Sequence, residues 1–185
     1  MRVIAGSLKG RRLQTLDGLD VRPTTDKVKE AIFSAVQFDL YGAVVLDLFS
    51  GSGQMGIEAL SRGAESAVFV DISPKSLNVT RSNIANAGLE SKTMCYQADS
   101  RNFLKTDRRL YNIAFLDPPY GKGIIEEILP ILSGRMAEGG KVICEHEKEL
   151  ILPDKVECLT VKKRYQYGKI NVTVYINQEE EMHDE

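Results

Sequence analysis

Five short apolar runs, each closing on an acid, constrain this chain more than any other feature. Residues 44–48 close around Asp47, 66–70 on Asp71, 93–98 on Asp99, 112–116 on Asp117 and 141–144 on Glu145. Between them the apolar spacing lengthens to a helical period at 56–62, 74–87 and 124–132. Pro74 stands in a favoured first-turn position, and Gly63 and Gly88 lie just beyond helix ends. Short apolar strands alternating with helices predict a parallel sheet covered on both faces. In open sheets of this kind the ligand crevice lies outside the carboxyl ends of the strands. The five acids are therefore expected in a row along one functional edge.

The remaining segments frame that core. Residues 3–13, with Gly6 and Gly10 as turn formers, predict a β-hairpin or extended arm. A helix is expected over 26–38, capped by Thr24 or Thr25, with Val28, Ile32, Ala35 and Val36 on one face. Two alternating runs, 156–163 and 169–176, separated by Tyr165-Gln166-Tyr167-Gly168, predict an antiparallel closing pair. The domain division is an arm at 1–22, an α/β domain at 23–177 and an acidic tail, expected to be disordered, at 178–185.

The 185 residues suffice for one domain plus a short arm, and 43% hydrophobic residues place the chain in the globular range. No apolar run approaches the roughly 18 residues of a membrane span, and the basic N-terminus lacks the apolar stretch of a secretory signal. Cys95, Cys144 and Cys158 are odd in number, far apart and set in strand-like runs. They predict buried thiols in a reducing cytoplasm, with neither a disulfide framework nor a metal site. The net charge of −2 hides an asymmetry. The last nine residues carry five acids and no base, and without them 24 bases face 21 acids, a net of +3. Arg2, Lys9, Arg11 and Arg12 fall in an opening dozen that has no acid. A polyanion-binding arm is thus compatible with the composition.

Gly51-Ser52-Gly53-Gln54-Met55-Gly56 matches G-x-G-x-x-G between a strand and a helix, and Asp71 follows Gly53 by eighteen residues. By itself this also suits a nicotinamide cofactor. Asp47, four residues before the first glycine, would repel a pyrophosphate but attract the ammonium of S-adenosylmethionine. Asp71 is placed to bind ribose hydroxyls, and Asp99 suits an adenine amino group. An acid at three successive strand ends favours a cationic, phosphate-free ligand.

Asp117-Pro118-Pro119-Tyr120 follows the fourth strand directly. Paired prolines stiffen the backbone and remove two N–H donors, leaving carbonyls to face the crevice. An amine on a nucleic-acid base is a poor nucleophile because its lone pair is delocalised into the ring. The Asp117 carboxylate and Pro118 carbonyl can hold its two N–H groups, and Tyr120 offers a stacking face for an extruded base. Asp at the first position gives a slight preference for guanine, whose N1–H and N2 amine are adjacent donors. An adenine-N6 or cytosine-N4 DNA methyltransferase, or a noncatalytic RNA-binding protein on the same fold, stays open from the motif alone. The lack of a target-recognition domain counts against the DNA enzyme.

Taken together, these segments resemble the RsmD-type bacterial 16S ribosomal RNA guanine-N2 methyltransferases over nearly the whole length. The resemblance is carried by Arg2-Val3-Ile4-Ala5-Gly6 with Gly10-Arg11, by Arg22-Pro23-Thr24, by Val28-Lys29-Glu30-Ala31-Ile32-Phe33 and by Asp47-Leu48-Phe49-Ser50-Gly51-Ser52-Gly53. It continues through Gly56-Ile57-Glu58-Ala59-Leu60-Ser61-Arg62-Gly63-Ala64, Asp117-Pro118-Pro119-Tyr120 and Tyr167-Gly168. It implies a Rossmann-like class I methyltransferase fold of seven mostly parallel strands with the last antiparallel. It also implies S-adenosyl-L-methionine as cofactor and one guanine of 16S ribosomal RNA, in the small subunit or its assembly intermediate, as substrate. The implied cofactor lining is Asp47, Phe49, Ser50, Gly51, Ser52, Gly53, Gly56, Asp71, Ile72, Asp99 and Ser100. Asp117, Pro118, Pro119 and Tyr120 would hold the base. Arg2, Lys9, Arg11, Arg12 and Arg22 are candidate phosphate contacts, with Lys162, Lys163 and Arg164 a second patch. Nothing in the sequence demands more than a monomer.

Overall fold

The computed structural model describes residues 1–16 and 26–178. Arg22, the candidate caps Thr24 and Thr25, the 22/23 boundary and nearly all of the acidic tail lie outside the described residues. The chain runs α1 (Asp26–Val36), β1 (Val44–Asp47), α2 (Gln54–Ser61), β2 (Ser66–Asp71) and α3 (Pro74–Ala87). It continues with a 3-10 turn (Glu90–Lys92), β3 (Thr93–Gln97), α4 (Ser100–Thr106), β4 (Tyr111–Leu116) and α5 (Ile124–Ser133). β5 (Met136–Glu147), β6 (Lys155–Val156), β7 (Leu159–Tyr167) and β8 (Ile170–Asn177) complete it.

The eight strands among the described residues form one sheet in the order β3-β2-β1-β4-β5-β8-β7-β6. The first five are parallel, and β8 is inserted antiparallel between β5 and β7. This is the expected Rossmann-like methyltransferase architecture, with the two-residue β6 added at one edge. Two apolar cores cover the two faces. Val28, Ile32, Phe33 and Val36 of α1 pack with Ile57 and Leu60 of α2 and Ile84 of α3 against Val45, Phe69, Ile113 and Phe115. On the other face Phe103 and Leu104 of α4 and Ile125, Ile128, Leu129 and Leu132 of α5 pack against Leu46, Val68, Val70 and Leu116. Alternate strand residues thus feed opposite cores, which explains why the runs are apolar throughout.

Several boundaries differ from the sequence reading, each for a local reason. β5 begins five residues early because Met136 pairs with Tyr111 before a register shift, although Glu138-Gly139-Gly140 has no strand character by composition. α4 is an additional helix, nucleated by Asp99, whose Oδ1 accepts the N–H groups of Arg101 and Asn102, each at 3.1 Å. The run 156–163 is broken by a turn at Glu157 (φ 51°) and Cys158, so Cys158 sits in that turn and not in a strand. The opening hairpin is a single antiparallel bridge, Arg2 to Arg12, and not a ladder.

The arm gains its order from α2. The amides of Ile4 and Ala5 donate to the two oxygens of Glu58 at 2.8 and 3.0 Å, and Leu8 N–H donates to Ser61 Oγ at 3.0 Å. Glu58 also meets Lys29 Nζ at 3.4 Å and Arg62 Nε at 2.9 Å, with Lys29 and Glu58 both fully buried. Lys29 donates in turn to the Arg2 carbonyl at 2.7 Å. Burial lowers the Lys29 ammonium below its ordinary range in spite of Glu58's attraction.

Candidate active site

Strand order converts the sequence order of the acids into a spatial row: Asp99, Asp71, Asp47, Asp117, Glu145. The pair at its centre, Asp47 and Asp117, stands where the connections from β1 and β4 diverge to opposite sides, the switch point at which open sheets bind ligands. Asp47 is level with Phe69 and Phe115. Asp71 and Asp117 lie two residues farther along their strands, about 7 Å beyond. Asp47 is thus the recessed floor of the crevice, 3% exposed, with Asp71 and Asp117 on its rims.

The glycine loop is held from below and from both sides. Gly53 N–H donates to the Ser50 carbonyl, and Gly53 starts α2 at φ 79°, a left-handed backbone that favours glycine. A Cβ on Gly56 would lie 2.3 Å from the Phe69 ring, so this glycine serves close packing of α2 on β2 and not approach to a ligand. Gly56 N–H donates to Asp47 Oδ2 at 3.0 Å. Asp71 accepts Gly51 N–H through Oδ2 at 2.9 Å and Ser73 N–H through Oδ1 at 2.8 Å. Each acid predicted to face a cofactor therefore also organises its own loop, and Asp99 does so as the cap of α4.

Two α3 residues that the sequence did not single out complete this end. Thr80 Oγ1 donates to the Gly51 carbonyl at 2.9 Å. Asn83 Nδ2 donates to Ser52 O at 2.9 Å and to Gln14 O at 3.0 Å, while its Oδ1 accepts Gln14 N–H at 2.7 Å. Polar side chains one turn apart on a helix carry no signal until the fold shows what they touch.

The loop and strand ends present carboxylates, and residues 47–56 contain no lysine or arginine. Gln54 Oε1, at the start of α2, is a buried acceptor without a partner among the described residues. Acceptors without cations fit a ligand bearing an ammonium, hydroxyls and an aromatic amine, and disfavour a pyrophosphate. Burial, with Asp71 nearby, raises Asp47 to about 7 against the pull of the Gly56 hydrogen bond. Phe49 and Ser50 lie in the same loop, whereas Ile72, just past β2, is 69% exposed. Ser100 is buried in the first turn of α4.

At the other end, Asp117 is accessible from the crevice yet crowded by protein on its remaining sides. That crowding, then the charges of Glu145 and Asp47, raise its carboxyl well above the ordinary range. Tyr120 directs its hydroxyl to Glu145 Oε1 at 3.4 Å, and Gly121 N–H donates to Glu147 Oε1 at 2.9 Å. The Pro118–Pro119 segment is thus tied to β5. Beside it opens a depression of about 210 Å³ lined by Pro118, Pro119, Tyr120, Ile124, Glu147 and Leu150. Glu145 and Glu147 hold the motif in place, a role their sequence positions did not declare.

The basic residues separate from these groups. Arg2, Lys9, Arg11 and Arg12 are all exposed on the arm, which reaches the cofactor end through Gln14 and Asn83. Arg2 also pairs with Asp26 at 3.3 Å, and Arg11 donates to the Asn86 carbonyl. No group of His, Cys, Asp and Glu suited to a metal ion occurs among the described residues, and no helix there is long and apolar enough to cross a membrane.

Comparison with known proteins adds to this geometry. The family model described as conserved hypothetical protein 95 matches residues 1–176. The Bacillus subtilis protein YlbH is 38% identical over 180 residues, 95% of this chain and 98% of that protein. Ribosomal RNA small subunit methyltransferase D of Escherichia coli is 33% identical over 155 residues, 83% of this chain and 78% of that enzyme. The solved structure of the Escherichia coli protein yhhF superposes with a TM-score of 0.88 at 28% identity, covering 96% of this chain and 98% of that one.

Proposed function

The chain belongs to the conserved hypothetical protein 95 family, the RsmD family, and from that premise we propose that it methylates the N2 amine of one guanine in 16S ribosomal RNA. The observation that carries this reading is the juxtaposition of Asp117-Pro118-Pro119-Tyr120 with Asp47 at the switch point of a methyltransferase sheet. S-adenosylmethionine is the cofactor, and when bound it supplies an electrophilic methyl group on a sulfonium.

The chain's own residues then have distinct tasks. Asp47 would hold the ammonium, Asp71 the ribose hydroxyls and Asp99 the adenine amine, while Thr80 and Asn83 keep the glycine loop in shape. The Asp117 carboxylate and the Pro118 carbonyl accept the two N–H groups of the base amine. Pro118 and Pro119 bring no N–H donors that would compete with it. Tyr120, 36% exposed and tied to Glu145, offers its ring to the base, and the adjoining depression takes the base's outer edge. Methylation of the amine would release one proton from its nitrogen. Asp117 in its ionised form is placed to receive it, and a raised pKa makes that carboxylate the stronger base. Positioning of this kind accounts for up to about 7–11 kcal/mol of barrier.

Among candidate substrates, the exposed arm cations favour RNA held through phosphates. Small subunits from cells lacking this protein, naked 16S RNA and duplex DNA, each incubated with labelled cofactor and digested to nucleosides, test the assignment. N2-methylguanosine from the subunits or the RNA is expected. Label found only in DNA, as methyladenine or methylcytosine, would overturn it.

A further inference from the structure

β7 changes the face to which its side chains point halfway along its length. Val161 is opposite Tyr175 and packs into the core beneath α5. The register then shifts, so that Lys163 is opposite Val174 and Tyr165 opposite Val172, both residues of the other core. The bulge absorbs Lys162 and turns Lys163, Tyr165 and Tyr167 towards the face that bears Asp47 and Asp117. Without the extra residue these three would point to the α5 side. Bulges recur next to active sites because they re-aim side chains in this way.

β7 runs parallel to β5 across the intervening β8, so its end reaches the same edge as the strand-end acids. Glu145 pairs with Val172, which pairs with Tyr165, and Glu147 pairs with Ile170, which pairs with Tyr167. Tyr165 is therefore in the row of Glu145, two interstrand spacings or about 10 Å away. The two tyrosine rings are 6.3 Å apart between centroids and within 15° of parallel. Lys163 Nζ stands 5.0 Å from the Tyr165 centroid. Both tyrosines are half-buried, with one side packed on the core, and Lys148, Lys162, Lys163 and Lys169 are exposed around them.

We propose that Lys163, Tyr165 and Tyr167 form a stacking platform for unpaired RNA next to the base held at Asp117-Pro118-Pro119-Tyr120. Parallel aromatic rings with flanking cations, at the edge where the target base enters, are the chemistry by which single strands are held without reading their sequence. Extruding one base leaves its neighbour unstacked, and the platform replaces the lost stacking. This rests on the reading of the chain as a ribosomal RNA methyltransferase.

Methyl transfer to small subunits from cells lacking this protein, with KM and kcat resolved, tests the platform. Tyr165→Leu and Tyr167→Leu are each expected to raise KM for the subunit about tenfold, with kcat at saturation and cofactor affinity unchanged. Tyr165→Phe and Tyr167→Phe should keep the KM of the parent. Lys163→Ala should lower the slope of log affinity against log salt by about one. Leucine variants that fold and keep the parent KM, or phenylalanine variants as impaired as leucine ones, would overturn the proposal. Should the leucine variants melt, an unchanged salt slope in Lys163→Ala would overturn it as well. If the parent protein transfers no methyl group to subunits or RNA, the functional reading falls, independently of the platform.

Discussion

The Asp47 carboxylate accepts the Gly56 amide at 3.0 Å while remaining 3% exposed on the crevice floor. One group therefore ties the glycine loop to β1 and, in the proposed function, would also meet the cofactor's ammonium. Burial raises its pKa to about 7, so in the free protein it is largely protonated at mildly acidic pH.

If Asp47 holds the ammonium, binding favours its ionised form, so it would lose its proton when cofactor binds below pH 7. Affinity for S-adenosylmethionine should rise about tenfold per unit below that point and level off above it. Asp47→Asn should bind weakly and without this slope. Calorimetry from pH 5.5 to 8 would show it, and a flat profile for the parent protein would remove Asp47 from the ammonium site.

The same shift has a sign for stability. Because the folded pKa lies above the unfolded one, the contribution is fully present below about pH 3.8 and lost as pH rises through about 7. Asp47→Asn should consequently melt higher than the parent at pH 8 without cofactor, and by less at pH 5. Equal melting differences at both values would contradict this.

Asp117→Ala should lower kcat by about 10²–10³, by analogy with removing one positioned polar contact, with little change in cofactor affinity. Glu145→Gln removes one of the charges that raise Asp117. If ionised Asp117 is needed to accept the amine, the acid limb of the rate profile should move to lower pH in that variant. An unmoved limb would mean that the two carboxyls are not coupled during turnover.

Glu58→Ala should destabilise the protein by about 3–5 kcal/mol, because it leaves Lys29 as a buried charge without its carboxylate and frees two arm amides. Cleavage within residues 1–16 by a protease should quicken in parallel. A stable variant with a protected arm would show that α2 does not hold the arm through Glu58.

Gly56→Ala should cost about 1–3 kcal/mol by overpacking against Phe69. The added methyl group would also shift the glycine loop, so cofactor affinity should fall with stability. Pairing it with Phe69→Leu should recover part of both, measured by thermal melting and calorimetry.

The sequence determined the alternation of strands and helices, the identity of the acids and the candidate base-holding tetrapeptide, because a doubly covered strand must be apolar on both sides and Asp117-Pro118-Pro119-Tyr120 is contiguous. Periodicity also gave the apolar face of α1 through Val28, Ile32 and Val36. It could not give the pairing of Met136 with Tyr111, since Glu138-Gly139-Gly140 has no strand pattern, nor α4, which depends on Asp99 acting as a cap. Strand order alone set Asp47 beside Asp117 rather than Asp71 beside Asp99 at the switch point. Tertiary structure likewise joined Glu58 to the arm, Asn83 to the glycine loop and Glu145 to Tyr120, and through one bulged residue turned Tyr165 towards the site. These are contacts between residues distant in the chain, and their partners are fixed only when the sheet closes its two cores.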